Sequence, residues 1–128
     1  MSLDTTTTTP SASYVPIARE KWQSFFDAFT KVLEGRQVEI EVVGLAFGDQ
    51  IEAEWLPLNG LTYDPKADTF YVYVEGVERD LGHAIPHPRE ILVRTGPGGI
   101  EEVVAVDPDQ NEHIVHLRQP LLLPPPAS

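Results

Sequence analysis

The hydrophobic positions of this chain follow a helical period up to Gly35. Six apolar residues recur at spacings of three and four and so fall on one stripe of a helix: Trp22, Phe25, Phe26, Phe29, Val32 and Leu33. We expect the helix to span about residues 18 to 34, with Pro16 before it and Gly35 in the left-handed conformation at its end. Burial of one aromatic side chain stabilises a fold by about 1.5 to 3 kcal/mol, so the stripe is expected to pack on a sheet or a partner.

Beyond Gly35 apolar and acidic residues alternate, which predicts strands with one buried face and one solvent face. The alternation covers Val38, Glu39, Ile40, Glu41 and Val42, and then Ile51, Glu52, Ala53, Glu54 and Trp55. We take residues 44–49 as the connection and place the residues of the two buried faces opposite each other. This register predicts three cross-strand pairs: Val42 with Ile51, Ile40 with Ala53, and Val38 with Trp55.

The same register predicts an acidic patch on the outer face, formed by Glu39, Glu41, Glu52 and Glu54. It sets Glu41 opposite Glu52 and Glu39 opposite Glu54, and like charges directly opposite cost up to about 1 kcal/mol per pair. The patch has two interpretations. It is a site for a hard cation or a Lys/Arg-rich partner, or it is the ordinary means of keeping a sheet face soluble and its edge unpaired.

Two segments run from an apolar strand through an Asp-Pro turn into another strand, at Asp64 and at Asp107. Proline presets φ near about −65°, and the aspartate accepts hydrogen bonds from the turn backbone. Asp68 or Asn111 is expected to take the left-handed conformation that closes each loop. The turns predict two hairpins and carry no activity of their own.

The remaining segments of the chain are consistent with one antiparallel sheet. Pro57 and Gly60 are expected to bend or break a strand, residues 76–88 to form a loop, and the glycine-rich run 96–99 to form a tight turn. The prediction is an α+β fold in which one N-terminal amphipathic helix packs on a curled antiparallel sheet or small half-open barrel of about five to seven strands. Its outline is similar to Sm-like and SH3-like small barrels.

The composition divides the chain into three parts. Residues 1–13 predict a flexible Thr-rich leader, residues 14–118 a single helix-plus-β-meander domain, and residues 119–128 a Leu/Pro-rich tail. The start lacks the basic and apolar regions of a secretory signal, and no apolar stretch approaches the roughly 18 residues of a membrane span. A cytoplasmic location is expected.

Nine basic and twenty acidic residues give a formal net charge of −11. This charge opposes nucleic acid and anionic membrane surfaces, so the expected partner is a protein, including a second copy of the chain. The absence of cysteine excludes disulfides, thiol catalysis and thiolate metal sites.

The four histidines are possible zinc ligands. His83 and His87, with Asp80 nearby, are the candidate set, but Pro86 and Pro88 disfavour a helical arrangement of the two rings. His113 and His116 lie three apart on a strand and so point to opposite faces. No serine lies in a nucleophile elbow, and the glycine-rich run lacks the ending of a phosphate loop. No cofactor, metal or catalytic residue is predicted.

An amphipathic surface is predicted on the faces turned away from the core. Tyr71 and Tyr73 lie on one strand, and Ile114 and His116 occupy the equivalent positions of the second hairpin. If these faces are exposed and adjacent, they form the kind of patch that protein interfaces favour. If the sheet closes over them, they form a second core instead.

Several of these residues together resemble a bacterial family of small proteins of unknown function. The resemblance rests on the aromatic helix, the helix end at Gly35, the segment Leu56, Pro57, Leu58 and Gly60, and His83, Ile85 and Pro88 ahead of a strand. It implies the helix-plus-meander fold and no established activity. The predicted function is a non-enzymatic, acidic protein-interaction domain. The alternative is a metal-dependent small enzyme or ligand-binding barrel that uses loop histidines and carboxylates.

Overall fold

The computed structural model describes residues 13–44 and 48–121. A 3-10 turn at Arg19–Lys21 leads into helix α1, Trp22–Leu33. The strands are β1 Ser13–Pro16, β2 Gln37–Gly44, β3 Gly48–Asp64, β4 Thr69–Val74, β5 Leu81–Pro86, β6 Glu90–Gly96, β7 Gly99–Val106 and β8 Glu112–Leu121.

The strands form one antiparallel sheet of eight, in the order β1-β6-β7-β8-β2-β3-β4-β5. The predicted α+β fold, with one N-terminal helix on an antiparallel sheet, is confirmed, and the strand count exceeds the predicted range. The additional strands are β1 and β5. β5 lies in the segment predicted as a loop, where Gly82 and Pro86 weaken the strand signal.

Helix α1 forms where the aromatic stripe predicts it. Trp22, Phe26, Phe29 and Leu33 are buried, whereas Val32, which the spacing also placed on the stripe, is 46% exposed. Val32 lies at the margin of the apolar face, so the sheet does not cover it. Gly35 has φ +87° and closes the helix as predicted, and its N–H donates to the carbonyl of Leu58 at 2.8 Å.

β3 is the strand that curls the sheet. Its first part pairs with β2 and its second part with β4, and register irregularities separate the two. Trp55 has φ +52° in this region, and Pro57 and Gly60 follow, so the bend predicted there is confirmed. The Thr30 hydroxyl of α1 bonds to both the N–H and the carbonyl of Leu61 at 2.9 and 2.8 Å, which fixes the helix to β3.

The register of β2 on β3 differs from the prediction. Ile40 pairs with Ala53 as expected, but Glu41 pairs with Ile51, and Glu52 is left without a cross-strand partner. Val38 pairs with Leu56 rather than Trp55. Two irregularities therefore insert extra residues in β3, and the predicted opposition of Glu41 to Glu52 and of Glu39 to Glu54 is wrong.

Both Asp-Pro turns are present. Asp64 Oδ1 accepts the N–H of Lys66 at 2.9 Å, and Asp68 takes the left-handed conformation with φ +49°. In the second turn the left-handed residue is Gln110, with φ +68°, rather than Asn111. Asn111 instead uses its backbone N–H and side-chain amide to bind Asp107.

The ends of the described chain extend the sheet. β1 begins at Ser13, which the composition assigned to the leader, and pairs with β6. β8 continues to Leu121, within the segment predicted as a tail. Residues 1–12 and 122–128 lie outside the described residues. α1, with 12 residues, is too short to cross a bilayer, and the described part of the chain holds no longer apolar helix.

Candidate functional site

The histidines predicted as candidate metal ligands have separate partners. His87 Nδ1 lies 3.1 Å from Asp68 Oδ2 on the surface, in a residue with φ +52°. His83 contacts His113 instead, and Asp80 is exposed. Within the described residues, the group of three metal-ligating side chains with close donor atoms is a different one. His83, His87 and Asp80 are therefore not brought together.

A chain of hydrogen-bonding groups connects β5 to the end of β7. His83 Nε2 lies 2.9 Å from His113 Nδ1, and His113 Nε2 lies 2.9 Å from Asp107 Oδ2. Asp107 also accepts the backbone N–H groups of Asp109 and Asn111, so the second Asp-Pro turn holds it in place. Three strands separate β5 from β8 in the sheet, and the curl at β3 closes that distance.

The direction of these hydrogen bonds follows from Asp107 when the ring of His113 is neutral. An ionised carboxylate only accepts, so His113 Nε2 carries the proton. With a neutral ring, His113 Nδ1 is then an acceptor, His83 Nε2 donates to it, and His83 Nδ1 keeps its lone pair. Burial, together with the neighbouring His113, lowers the pKa of His83, which favours the neutral ring at pH 7. Burial acts to raise the pKa of Asp107, but the hydrogen bonds from His113, Asn111 and Asp109 together outweigh it and lower that pKa.

His83 also lines a pocket of about 160 Å³ between β2, β3, β4 and β5. Its lining is Ile40, Glu52, Ala53, Val74, Leu81, Gly82 and His83. Glu52 is the extra residue of the bulge in β3, and the bulge brings its side chain to the pocket beside Ala53. Predicted as part of an outer acidic patch, Glu52 lies at a pocket that the sequence pattern did not indicate.

On the outer face of the sheet a row of charged side chains crosses four strands. His116 Nε2 lies 2.8 Å from Glu41 Oε1, and His116 Nδ1 lies 2.8 Å from Glu102 Oε2. Arg94 Nε lies 3.1 Å from Glu102 Oε1, and its other end lies 3.1 Å from Glu101 Oε1. We call Glu41, His116, Glu102 and Arg94 the charged row.

The charged row fixes the protonation of its members. The hydrogen bond to Glu102 is the main cause that raises the pKa of His116 to about 9, and Glu41 adds to it. Burial acts to raise the pKa of Glu102, but hydrogen bonds from His116 and Arg94 outweigh it and lower that pKa to about 2. At neutral pH the row therefore contains an imidazolium between two carboxylates.

Glu39, Glu41 and His116 offer ligand atoms that all lie within 4.8 Å of one another. One imidazole with two carboxylates is a set that divalent metals accept, but a metal ion has to displace the proton that His116 holds. Glu39 and Glu41 thus belong with the charged row, whereas Glu52 lies at the pocket and Glu54 is exposed on β3. The structure distributes the predicted acidic patch over these places.

The predicted amphipathic surface is also divided. Tyr71 and Tyr73 stack on β4, with ring centroids 5.7 Å apart and planes inclined by 10°. Ile114 and His116 lie on β8, and β2 and β3 separate them from the tyrosines in the sheet. Tyr73 is exposed, whereas Tyr71, Ile114 and His116 are half-buried. The two pairs do not lie on neighbouring strands.

An apolar groove lies beside the charged row on the same outer face. It has a volume of about 410 Å³ and is lined by Tyr14, Glu90, Leu92, Val104, Val106 and Glu112. Val104 lies opposite Leu92 on one side and Ile114 on the other, so three neighbouring strands contribute one apolar row. We call this surface the outer groove.

Sequence reasoning did not identify the outer groove. A signal was present in β7, because the run Val103, Val104, Ala105, Val106 is apolar at every position, which indicates a strand buried on both faces. Val104 is only 4% exposed and yet lies outside the core cluster that α1 covers. Tyr14 comes from β1, which the pattern did not predict.

Comparisons with known proteins identify relatives of unknown function. A family model described as "Family of unknown function (DUF5335)" matches residues 13–126. An uncharacterized protein of Aquifex aeolicus (strain VF5) is 37% identical over 108 residues, which make up 84% of this chain and 95% of the relative. No solved structure matches the chain. The resemblance to a family of unknown function is confirmed.

Proposed function

The chain belongs to the DUF5335 family of unknown function, and we propose that it is a non-enzymatic, acidic protein-interaction domain. The outer groove binds a segment of a partner protein that carries apolar side chains flanked by Lys or Arg. The observation that carries this proposal is the combination of an apolar floor and an acidic rim on a sheet face opposite to α1.

The apolar floor supplies the first requirement of an interface. Leu92, Val104 and Val106 line the groove, and Tyr14 at its side is 57% exposed. Interfaces have an apolar centre in which aromatic side chains such as tyrosine are enriched, and polar groups surround it. Burial of this surface against a partner contributes about 25 cal/mol per Å² of apolar area.

The acidic rim selects the partner. Glu90 and Glu112 line the groove and are exposed, and neither has an ion-pair partner among the described residues. A formal net charge of −11 adds a long-range field that steers basic segments to the surface and repels nucleic acid. A cytoplasmic setting, in which such partners are abundant, is part of the proposal.

Synthetic peptides test this proposal without knowledge of the natural partner. The full chain, labelled with ¹⁵N, is titrated with a peptide of alternating Leu and Lys, and with Leu/Glu and Ser/Lys peptides of the same length. We expect saturable shifts of the amides of Leu92, Val104 and Val106 with the Leu/Lys peptide alone. Equal binding of the Ser/Lys peptide contradicts the proposal, because it indicates charge attraction without the groove.

A pair of charge reversals locates the binding surface. Glu90→Lys with Glu112→Lys is expected to weaken binding of the Leu/Lys peptide at least about tenfold, which corresponds to about 1.4 kcal/mol. The matched control, Glu34→Lys with Glu78→Lys, changes the net charge equally at exposed positions outside the groove lining. If both pairs weaken binding equally, the outer groove is not the site.

A second copy of the chain is the other protein partner that the sequence predicted. Like charges on two outer grooves oppose that contact, so the proposed partner is a different protein. Sedimentation of the full chain at low and high salt checks this point. If the chain forms a dimer and the reversal Glu90→Lys with Glu112→Lys abolishes it, the partner at the outer groove is a second copy of the chain and not a different protein.

A further inference from the structure

The pocket at His83 is separate from the outer groove and has its own chemistry. Its walls include the aliphatic side chains of Ile40, Val74 and Leu81 and the methyl group of Ala53. A volume of about 160 Å³ is comparable to apolar cavities that hold a molecule of about six non-hydrogen atoms. The size therefore restricts an occupant to a small molecule.

Two polar side chains face this apolar space, and both offer acceptors. Glu52, held at the pocket by the bulge in β3, presents a carboxylate. When the ring of His113 is neutral and its Nε2 proton is bonded to Asp107, His83 Nε2 donates to His113 Nδ1, and Nδ1 of His83 is the acceptor left over. Within the described residues no group donates a hydrogen bond to His83 Nδ1. With this tautomer, the side chains that line the pocket offer acceptors and no free donor.

The missing donor identifies the class of ligand. An alkylammonium ion has three N–H donors and no acceptor, so it satisfies both Glu52 and His83 Nδ1. An alcohol has one donor and leaves the carboxylate without a counter-charge, and a carboxylic acid anion is repelled. A metal ion finds two ligands here, whereas zinc sites in proteins use three or four.

We propose that this pocket binds a small primary ammonium ion with a short alkyl chain. The ammonium group lies between Glu52 and Nδ1 of His83, and the alkyl chain contacts Ile40, Val74 and Leu81. For a ligand of this size we expect a dissociation constant on the order of millimolar.

Titration with three matched probes tests the proposal. The full chain, labelled with ¹⁵N, is titrated with butylammonium, 1-butanol and butanoate. Butylammonium is expected to give saturable shifts at Ala53, Val74 and Gly82, and to move the Nδ1 resonance of His83. We expect 1-butanol to bind at least about tenfold more weakly and butanoate to leave these signals unchanged. Equal binding of all three probes would overturn the proposal.

Two glutamine variants separate the specific site from attraction by an acidic surface. Glu52→Gln is expected to weaken butylammonium binding at least about tenfold and to leave 1-butanol binding unchanged. Glu54→Gln, at an exposed residue of the same strand outside the pocket lining, is the control and is expected to change either affinity less than twofold.

The same two variants also show which results would contradict binding of an ammonium ion at this pocket. If both weaken butylammonium equally, the ion is attracted by net charge alone and the proposal is wrong. It is also wrong if butylammonium shifts only the amides of Leu92 and Val104, since these belong to the outer groove. Because Glu52 is exposed, its amide variant is expected to fold, and circular dichroism checks that it does.

Discussion

His116 and His83 are both half-buried imidazoles, yet the fold gives them opposite protonation. Burial opposes the charged form of both rings. His116 lies between Glu102 and Glu41, which raise its pKa to about 9. Burial is the largest cause that lowers the pKa of His83, the neighbouring His113 adds to it, and the carboxylate of Glu52 opposes it without reversing the direction. The comparison teaches that burial keeps a histidine neutral unless hydrogen-bonded carboxylates outweigh it, as they do at His116.

The two histidines also differ in whether their hydrogen-bonding groups all have partners within the protein. In the charged row, each cation is paired with carboxylates of the same row, because the imidazolium and the guanidinium lie between them. The chain from Asp107 through His113 to His83 ends instead on a nitrogen with a free lone pair. A row in which every charged group has a partner stabilises the fold, whereas an acceptor without a donor at a pocket is available to a ligand.

The largest expected effect is at the charged row. His116→Ala removes the imidazolium between Glu41 and Glu102, so that Glu102 keeps only Arg94 as a cation and Glu41 loses its ion pair; His116 is only 23% exposed. Removal of one partner from a largely buried ion pair costs about 3 kcal/mol, and urea unfolding at pH 7 measures it. His87→Ala, at an exposed ion pair, is the control and is expected to cost less than about 0.5 kcal/mol. Equal losses would contradict the role assigned to the row.

The pH dependence of stability gives the next effect. The pKa of His116 is about 9 in the fold against 6.5 as a free group, so its stabilisation is complete below pH 6.5 and is lost as the pH rises through 9. The pKa of Glu102 is about 2 against 4.5, so its stabilisation is present above pH 4.5 and is lost as the pH falls through 2. At 1.36 kcal/mol per unit of pKa shift, each of these two changes in stability has an upper limit of about 3 kcal/mol, which solvent screening of the partly exposed groups reduces.

Urea unfolding at a series of pH values measures both limbs. His116→Ala is expected to remove the alkaline limb, because the titrating group is gone. An alkaline limb that persists unchanged in this variant would show that another group causes it. The comparison between the two histidines would then lose its basis.

A smaller effect is expected at Asp107, where the chain of hydrogen bonds to His83 begins. Asp107 and Asp64 occupy equivalent turn positions, but only Asp107 also accepts from a histidine. Asp107→Ala is therefore expected to destabilise the fold by about 1 kcal/mol more than Asp64→Ala, as measured by urea unfolding. Equal losses would mean that the contact with His113 adds nothing to the turn.

The smallest effect concerns His83 itself. Its pKa lies below the free value of 6.5, so the unfolded chain binds the proton more readily, and stability falls as the pH drops below 6.5. His83→Gln keeps a donor toward His113 and removes the titration. We expect its stability profile to be flatter than that of the original chain just below pH 6.5. An identical slope in both proteins would contradict the assignment.

The local features were predictable because they depend on near neighbours. Trp22, Phe26 and Phe29 define α1 by a spacing that the backbone alone imposes. Gly35 and Asp64 likewise act within a few residues of their own position. The register of β2 on β3 was not predictable, since bulges shift pairing without a change in composition.

Residue types and their order thus determined one helix, antiparallel strands, two Asp-Pro turns and a strongly acidic chain. Only the tertiary structure decided which side chains meet. His83 and His113 are 30 residues apart and come together because β3 bends. A bulge moves Glu52 to the pocket, and cross-strand register places His116 between Glu41 and Glu102. Hydrophobic period is a local property of the chain, whereas charge pairing requires contacts that form only after the sheet has curled.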